Sequence, residues 1–154
     1  MLAALVDCGA LRKSISVSMA TDYFGIHVPF LDMLGVKAEL DAEGRPFVSV
    51  DVRPELMNSF HVTHGGVIMT LLDVAMAMSA RVSSRHKGGA ITVDMSMSFL
   101  RPASGRVTAR GRVLHSGRSL YFCEGEALDA SGQMIAKSLG TFKLRKEMHD
   151  GEGN

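Results

Sequence analysis

The segment from His64 to Arg81 constrains this chain more than any other. Between those two residues the single ionisable side chain is Asp73, set among Val67, Ile68, Met69, Leu71, Leu72, Val74, Ala75, Met76, Ala77 and Met78. Wound as a helix, these residues are apolar nearly all the way round, so the helix must be buried on most of its faces. Its longest apolar stretch, Val67 to Ala80, is 14 residues and contains Asp73, too short and too polar to read as a bilayer span. Such a rod needs a wrapper.

The rest of the chain supplies one. A short helix is expected over Val28–Leu34, with Pro29 in its first turn and Gly35 as its stop. Val36–Leu40 and Phe47–Val52 read as strands around the turn Asp41-Ala42-Glu43-Gly44, and Pro54 to Thr63 as irregular. After a polar loop, Ser83–Gly89, polar and apolar residues alternate without a break from Thr92 to Phe99, and Pro102 ends that strand. Arg106–His115, Leu120–Asp129 and Gln133–Leu144 follow, joined by Ser116-Gly117 and Asp129-Ala130-Ser131-Gly132. Connections this short cannot make parallel crossovers. The expected class is therefore α+β, a mostly antiparallel sheet wrapped around one long central helix.

At 154 residues one domain is expected. Its boundaries are read as 19–145, with 1–18 a loosely ordered extension and the charged, Gly-rich 146–154 a disordered tail. Lys+Arg at 17 against Asp+Glu at 16 argues against nucleic acid as a partner. Cys8 and Cys123 have no metal-ligand spacing and read as reduced thiols. The N-terminus has no basic stretch before its short apolar run, so neither secretion nor a membrane is expected, and the location is read as cytoplasmic.

A carboxylate inside an oily helix loses hydration, which raises its pKa and makes it a better base. It must be either paired or used. His64-Gly65-Gly66 opens the same helix. There the free N–H groups can receive the negative charge of a carbonyl oxygen, or the glycines can simply make a turn. Nine residues separate His64 from Asp73, about 13 Å of helix and two and a half turns. The two point to opposite sides and cannot act on one atom within a chain. If both are catalytic, each site must combine the helix start of one subunit with the Asp73 of another, an obligate dimer with two sites.

Asn58-x5-His64-Gly65-Gly66, followed by Thr70-Leu71-Leu72-Asp73, resembles the hotdog-fold acyl-CoA thioesterases of the PaaI-like (phenylacetate-pathway) type. The resemblance extends through Phe30–Val36, Phe99-Leu100-Arg101-Pro102-Ala103, Gly117-Arg118 and Gly140-Thr141-Phe142. It implies a hotdog fold assembled as homodimers and often homotetramers, acting on acyl-CoA; His61-x2-His64 has no third ligand at sensible spacing, so no metal is expected, nor any other cofactor. It also implies roles: Asp73 as general base or nucleophile, the Gly65 N–H polarising the thioester carbonyl, and Asn58 and His64 holding that end. Thr92 would orient the water with Asp73. Gly66, Arg101, Gly117 and Arg118 would contact the substrate. One departure stands out. The family usually has glycine three residues after the asparagine, and here that residue is His61, which bears on substrate range.

No acid lies between Arg101 and Arg118, a run that also holds Arg106, Arg110 and Arg112. Arginine suits the phosphates of coenzyme A, although some of these side chains will only solvate a strand face. Met69, Met76, Met78, Met95 and Met97 can line an acyl pocket or fill the core. Two other readings compete. A non-catalytic acyl-CoA-binding or sensor module would keep Arg118 and the helix N-terminus without needing Asp73. A hotdog dehydratase would use Asp22 and His27, which lie before the core helix.

Overall fold

The computed structural model describes residues 25–84 and 88–145. The expected extension 1–18, the tail 146–154, Cys8 and Asp22 lie outside the described residues. The element order is α1 (Pro29–Leu34), β1 (Lys37–Leu40), β2 (Pro46–Asp51), α2 (Gly65–Ser84), β3 (Ala90–Phe99), β4 (Arg106–Ser116), β5 (Leu120–Leu128) and β6 (Met134–Leu144), with a single 3-10 turn at Pro54–Leu56 before α2. Among the described residues the strands form one six-stranded sheet in the order β1-β2-β4-β5-β6-β3, antiparallel at every pairing. This is the hotdog arrangement. The sheet curls around α2, and the core is what lies between them.

Local signals explain the boundaries. Pro29 opens α1, where a missing N–H costs nothing, and Gly35 closes it with φ of 75°. The Arg53 guanidinium then donates to the carbonyls of Leu34 (2.8 Å) and Met33 (2.6 Å), the helix-end acceptors that would otherwise go unpaired. Asp41 Oδ1 accepts from the N–H groups of Glu43 and Arg45, shaping the β1–β2 turn. Asp129 Oδ1 does the same for Ser131 and Gln133 between β5 and β6.

At 20 residues, α2 is long and apolar enough to cross a membrane by length and composition. It runs three residues beyond the expected end. Here it is a core helix: Leu71, Leu72, Ala75, Met76 and Ala80 have no exposed surface. What lets it sit so deep is a seam of small residues across three strands. Gly111 pairs with Gly125 and Gly125 with Ser138. A Cβ on Gly111 would stand 2.7 Å from the Cα of Met76, and one on Gly125 would stand 2.9 Å from Ser138 Oγ. The helix backbone therefore rests on bare strand backbone, and the buried Ser138 hydroxyl donates to Met76 Sδ at 3.5 Å.

Strand β3 departs from its expected pattern. Thr92 pairs with Phe142 but Asp94 pairs with Thr141, so Val93 is an extra residue, a β-bulge. Strict alternation puts Thr92 on the same face as Asp94, Ser96 and Ser98. The bulge turns it instead to the helix-facing side, with Met95, Met97 and Phe99.

Candidate active site

Where α2 is not covered by the sheet, it floors a groove of about 600 Å³. Two rows at helical spacing make that floor: Met69, Asp73, Ala77 and Arg81, and beside them Thr70, Val74 and Met78. Ile26, Val28, Phe30 and Leu31 form one wall, and Ala90, Thr92 and Met95 belong to the other. Asp73 is the one carboxylate in this lining. Thr92 Oγ1 donates to its Oδ1 at 2.7 Å. Burial pushes the Asp73 carboxyl above the usual aspartate range, and the Thr92 hydrogen bond partly opposes the shift by stabilising the anion. Among the described residues no arginine pairs with it. Asp73 is thus a partly desolvated base, held in one orientation, with open space beside it.

The other expected group gathers at the helix start. Asn58 Oδ1 accepts from the N–H groups of Phe60 (2.9 Å) and Val62 (3.4 Å), so its carbonyl organises the loop that leads into α2. His61 occupies the left-handed region at φ 58°, the conformation in which glycine is unstrained. The imidazole at this position is exposed, and the departure from glycine puts strain in the backbone. His64 Nδ1 accepts from the N–H of Gly66 at 2.9 Å, which caps the helix and leaves the proton of the neutral ring on Nε2. Gly66 therefore has its N–H already engaged. Those of Val67 and Ile68 go to the His64 carbonyl. The Gly65 N–H is the one left unbonded among the first four. The ring of Phe99 lies over Gly65, 3.1 Å from where a Cβ would be. Neither this contact nor the capping role of His64 could be read from the sequence, since both need β3 and α2 in place.

Asp73 and Gly65 are held apart within one chain. Eight residues of α2, about 12 Å, lie between them, and their neighbours Thr92 and Phe99 mark opposite ends of β3. Gly117 and Arg118 are at the β4–β5 hairpin tip, at the Thr92 end of the sheet, where Gly117 N–H donates to the Leu120 carbonyl. Arg101 follows Phe99 at the other end and donates to the carbonyl of Met134 at 2.8 Å. Of the remaining arginines, Arg106 binds Ser49, Arg112 pairs with Glu124, and Arg110 stacks over Phe47 with its guanidinium carbon 5.9 Å from the ring centre. These three are occupied on the outer face of the sheet.

The family model described as Thioesterase superfamily matches residues 60–136. The chain belongs to this superfamily. Among relatives of this chain, a Mycobacterium tuberculosis protein named as a candidate esterase is 35% identical over 117 residues, covering 73% of this chain and 83% of its own. Two solved structures share the fold. The PaaI protein of the E. coli phenylacetic acid degradation operon has a TM-score of 0.67 at 23% identity, over 77% of this chain and 86% of that one. A Bacillus halodurans protein solved with CoA has a TM-score of 0.70 at 22% identity, over 79% and 81%. The thioesterase match begins in the Asn58–Val62 loop and ends in β6, so it spans Gly65, Asp73 and Thr92 alike.

Proposed function

We propose that this thioesterase-superfamily chain hydrolyses acyl-CoA thioesters. The observation that carries the reading is Asp73: a carboxylate raised in pKa by an apolar groove and oriented by a single hydroxyl. Water is a poor nucleophile at neutral pH, and a base of this kind removes its proton as it attacks. The water oxygen bonds to the acyl carbon, the carbonyl oxygen becomes an oxyanion, and the C–S bond then breaks. The products are a carboxylic acid and the free thiol of coenzyme A. Oxyanion stabilisation needs a donor with no other partner, and the unbonded Gly65 N–H meets that requirement. The CoA bound by the Bacillus halodurans protein is consistent with the same substrate class.

Because Asp73 and Gly65 lie at separate places in one chain, the reading requires a homodimer in which each site takes Asp73 from one protomer and Gly65 from its partner. Strand β3 suits that pairing. It is ten residues long, stands at the edge of the sheet, and exposes Ile91, Val93 and Phe99. A long apolar edge is a template for another strand. Arg118 and Arg101 are the arginines of the run best placed to meet phosphates, and a tetramer would be two such dimers.

The test is release of free thiol from a panel of acyl-CoAs, comparing the native protein with Asp73→Asn and with Gly65→Pro. Proline suits the first position of a helix and removes the N–H, while its ring displaces the Phe99 side chain, which lies 3.1 Å from the Cβ position. Both variants should be inactive alone. Co-refolded, they should recover about a quarter of native activity, because half the dimers then carry one intact site. A mixture with no activity rejects the shared site. Tight CoA binding with no thiol release from any acyl-CoA rejects hydrolysis in favour of a sensor.

A further inference from the structure

The groove also has a length and a direction, and these bear on which acyl group it takes. Met69, Asp73, Ala77 and Arg81 follow one another at four-residue intervals, so the groove runs along α2 for about 18 Å. Asp73 does not sit at its middle. Toward the helix start only one turn, to Met69, remains. Toward the helix end two turns remain, about 12 Å, and this longer arm is floored by Val74, Ala77 and Met78. Arg81 and Gly89 line its far end. Arg81 is only 7% exposed and its Nε donates to the carbonyl of Gly88 at 2.8 Å, so the arm ends at a buried charge. An apolar chain gains by filling the arm and gains nothing beyond it.

Resting on the hydrolytic reading, we infer that the substrate is a straight-chain, medium-length acyl-CoA whose tail lies along α2 from Asp73 to Arg81. Carbon–carbon bonds of about 1.5 Å in a zigzag advance about 1.25 Å each, so 12 Å takes roughly eight to ten carbons. A phenylacetyl group reaches about half that distance and leaves the Met78 end empty. Ala77 sets the bore. It is one turn beyond Asp73, and its small side chain is what leaves the passage to Arg81 open.

The experiment measures kcat/KM for thiol release by the full chain across straight-chain acyl-CoAs of two to sixteen carbons, with phenylacetyl-CoA alongside. The rate constant should rise about fourfold per methylene to an optimum at eight to ten carbons and stop rising there. Ala77→Phe should move the optimum to six carbons or fewer and lower decanoyl turnover about 100-fold. Ala77→Val, a milder change for the fold, should move it by two or more carbons. A flat profile, phenylacetyl-CoA above every straight chain, or an optimum unmoved in a folded Ala77→Val protein would each overturn the inference while leaving hydrolysis standing. Absence of thiol release from the whole panel would remove hydrolysis itself, and this assignment with it.

Discussion

Thr92 Oγ1 donates to Asp73 Oδ1 across 2.7 Å, and it reaches that carboxylate because Val93 is one residue too many for the ladder between β3 and β6. Without the bulge, Thr92 would point away from α2. The hydrogen bond between Thr92 and Asp73 thus depends on an irregularity in strand pairing, the kind of device that re-aims a single side chain.

Thr92→Val removes the one hydrogen bond that lowers the Asp73 pKa and leaves the desolvation that raises it. The acidic limb of the kcat/KM profile should move to higher pH, and kcat should fall about tenfold. Thr92→Ser should restore both. A pH–rate series on the three proteins checks this.

Asp73→Asn should abolish turnover, by about 10²- to 10⁴-fold in kcat, and make the protein more stable at neutral pH. The folded-state pKa of Asp73 lies above its unfolded value. Between the two values the folded protein holds more protons, so its stability falls as pH rises through that window. The amide carries no such penalty. Thermal unfolding from pH 4 to 8 should show the Tm advantage of the variant growing with pH, a trade of stability for activity.

Gly111→Ala should be severely destabilising although it adds one methyl. The Cβ has nowhere to go but into the backbone of α2, 2.7 Å from the Met76 Cα. A loss of about 3 kcal/mol or more is expected from overpacking against main chain. Denaturant unfolding measures it, and Gly132→Ala, with nothing within 4 Å but a φ of 82°, is a useful contrast in which conformation alone is at fault.

His61→Gly should stabilise the protein slightly, by about 0.5–1 kcal/mol, because the left-handed φ of 58° strains histidine and not glycine. Thiol release should be preserved, since the loop keeps its shape. Parallel Tm and activity measurements decide it.

Much of this architecture was legible beforehand, for identifiable reasons. The apolar run around Asp73 has no surface face, so α2 had to be the core helix, and the Gly- and Asp-bearing turns divided the strands. The short helix stopped at Gly35 as expected because only the left-handed region could end it there. The bulge was not legible: Thr92 to Phe99 alternates perfectly, and the extra residue exists only relative to its neighbour β6. Nor was the seam, since Gly111 and Gly125 look like weak points in strands until α2 is laid across them. The sequence placed Asp73 and His64 on opposite sides of one helix. Which N–H remained unbonded, Gly65 and not Gly66, depended on how the His64 ring turned.

The seam beneath α2 decides where this scaffold can vary. A floor seated directly on strand main chain has no slack to sink further, so Asp73 is fixed in depth. The opposite wall is a six-residue helix clipped at its end by Arg53. New acyl preferences should therefore arise by refitting that small wall or the side chains that α2 turns into the groove, Ala77 first, leaving the strand bed untouched.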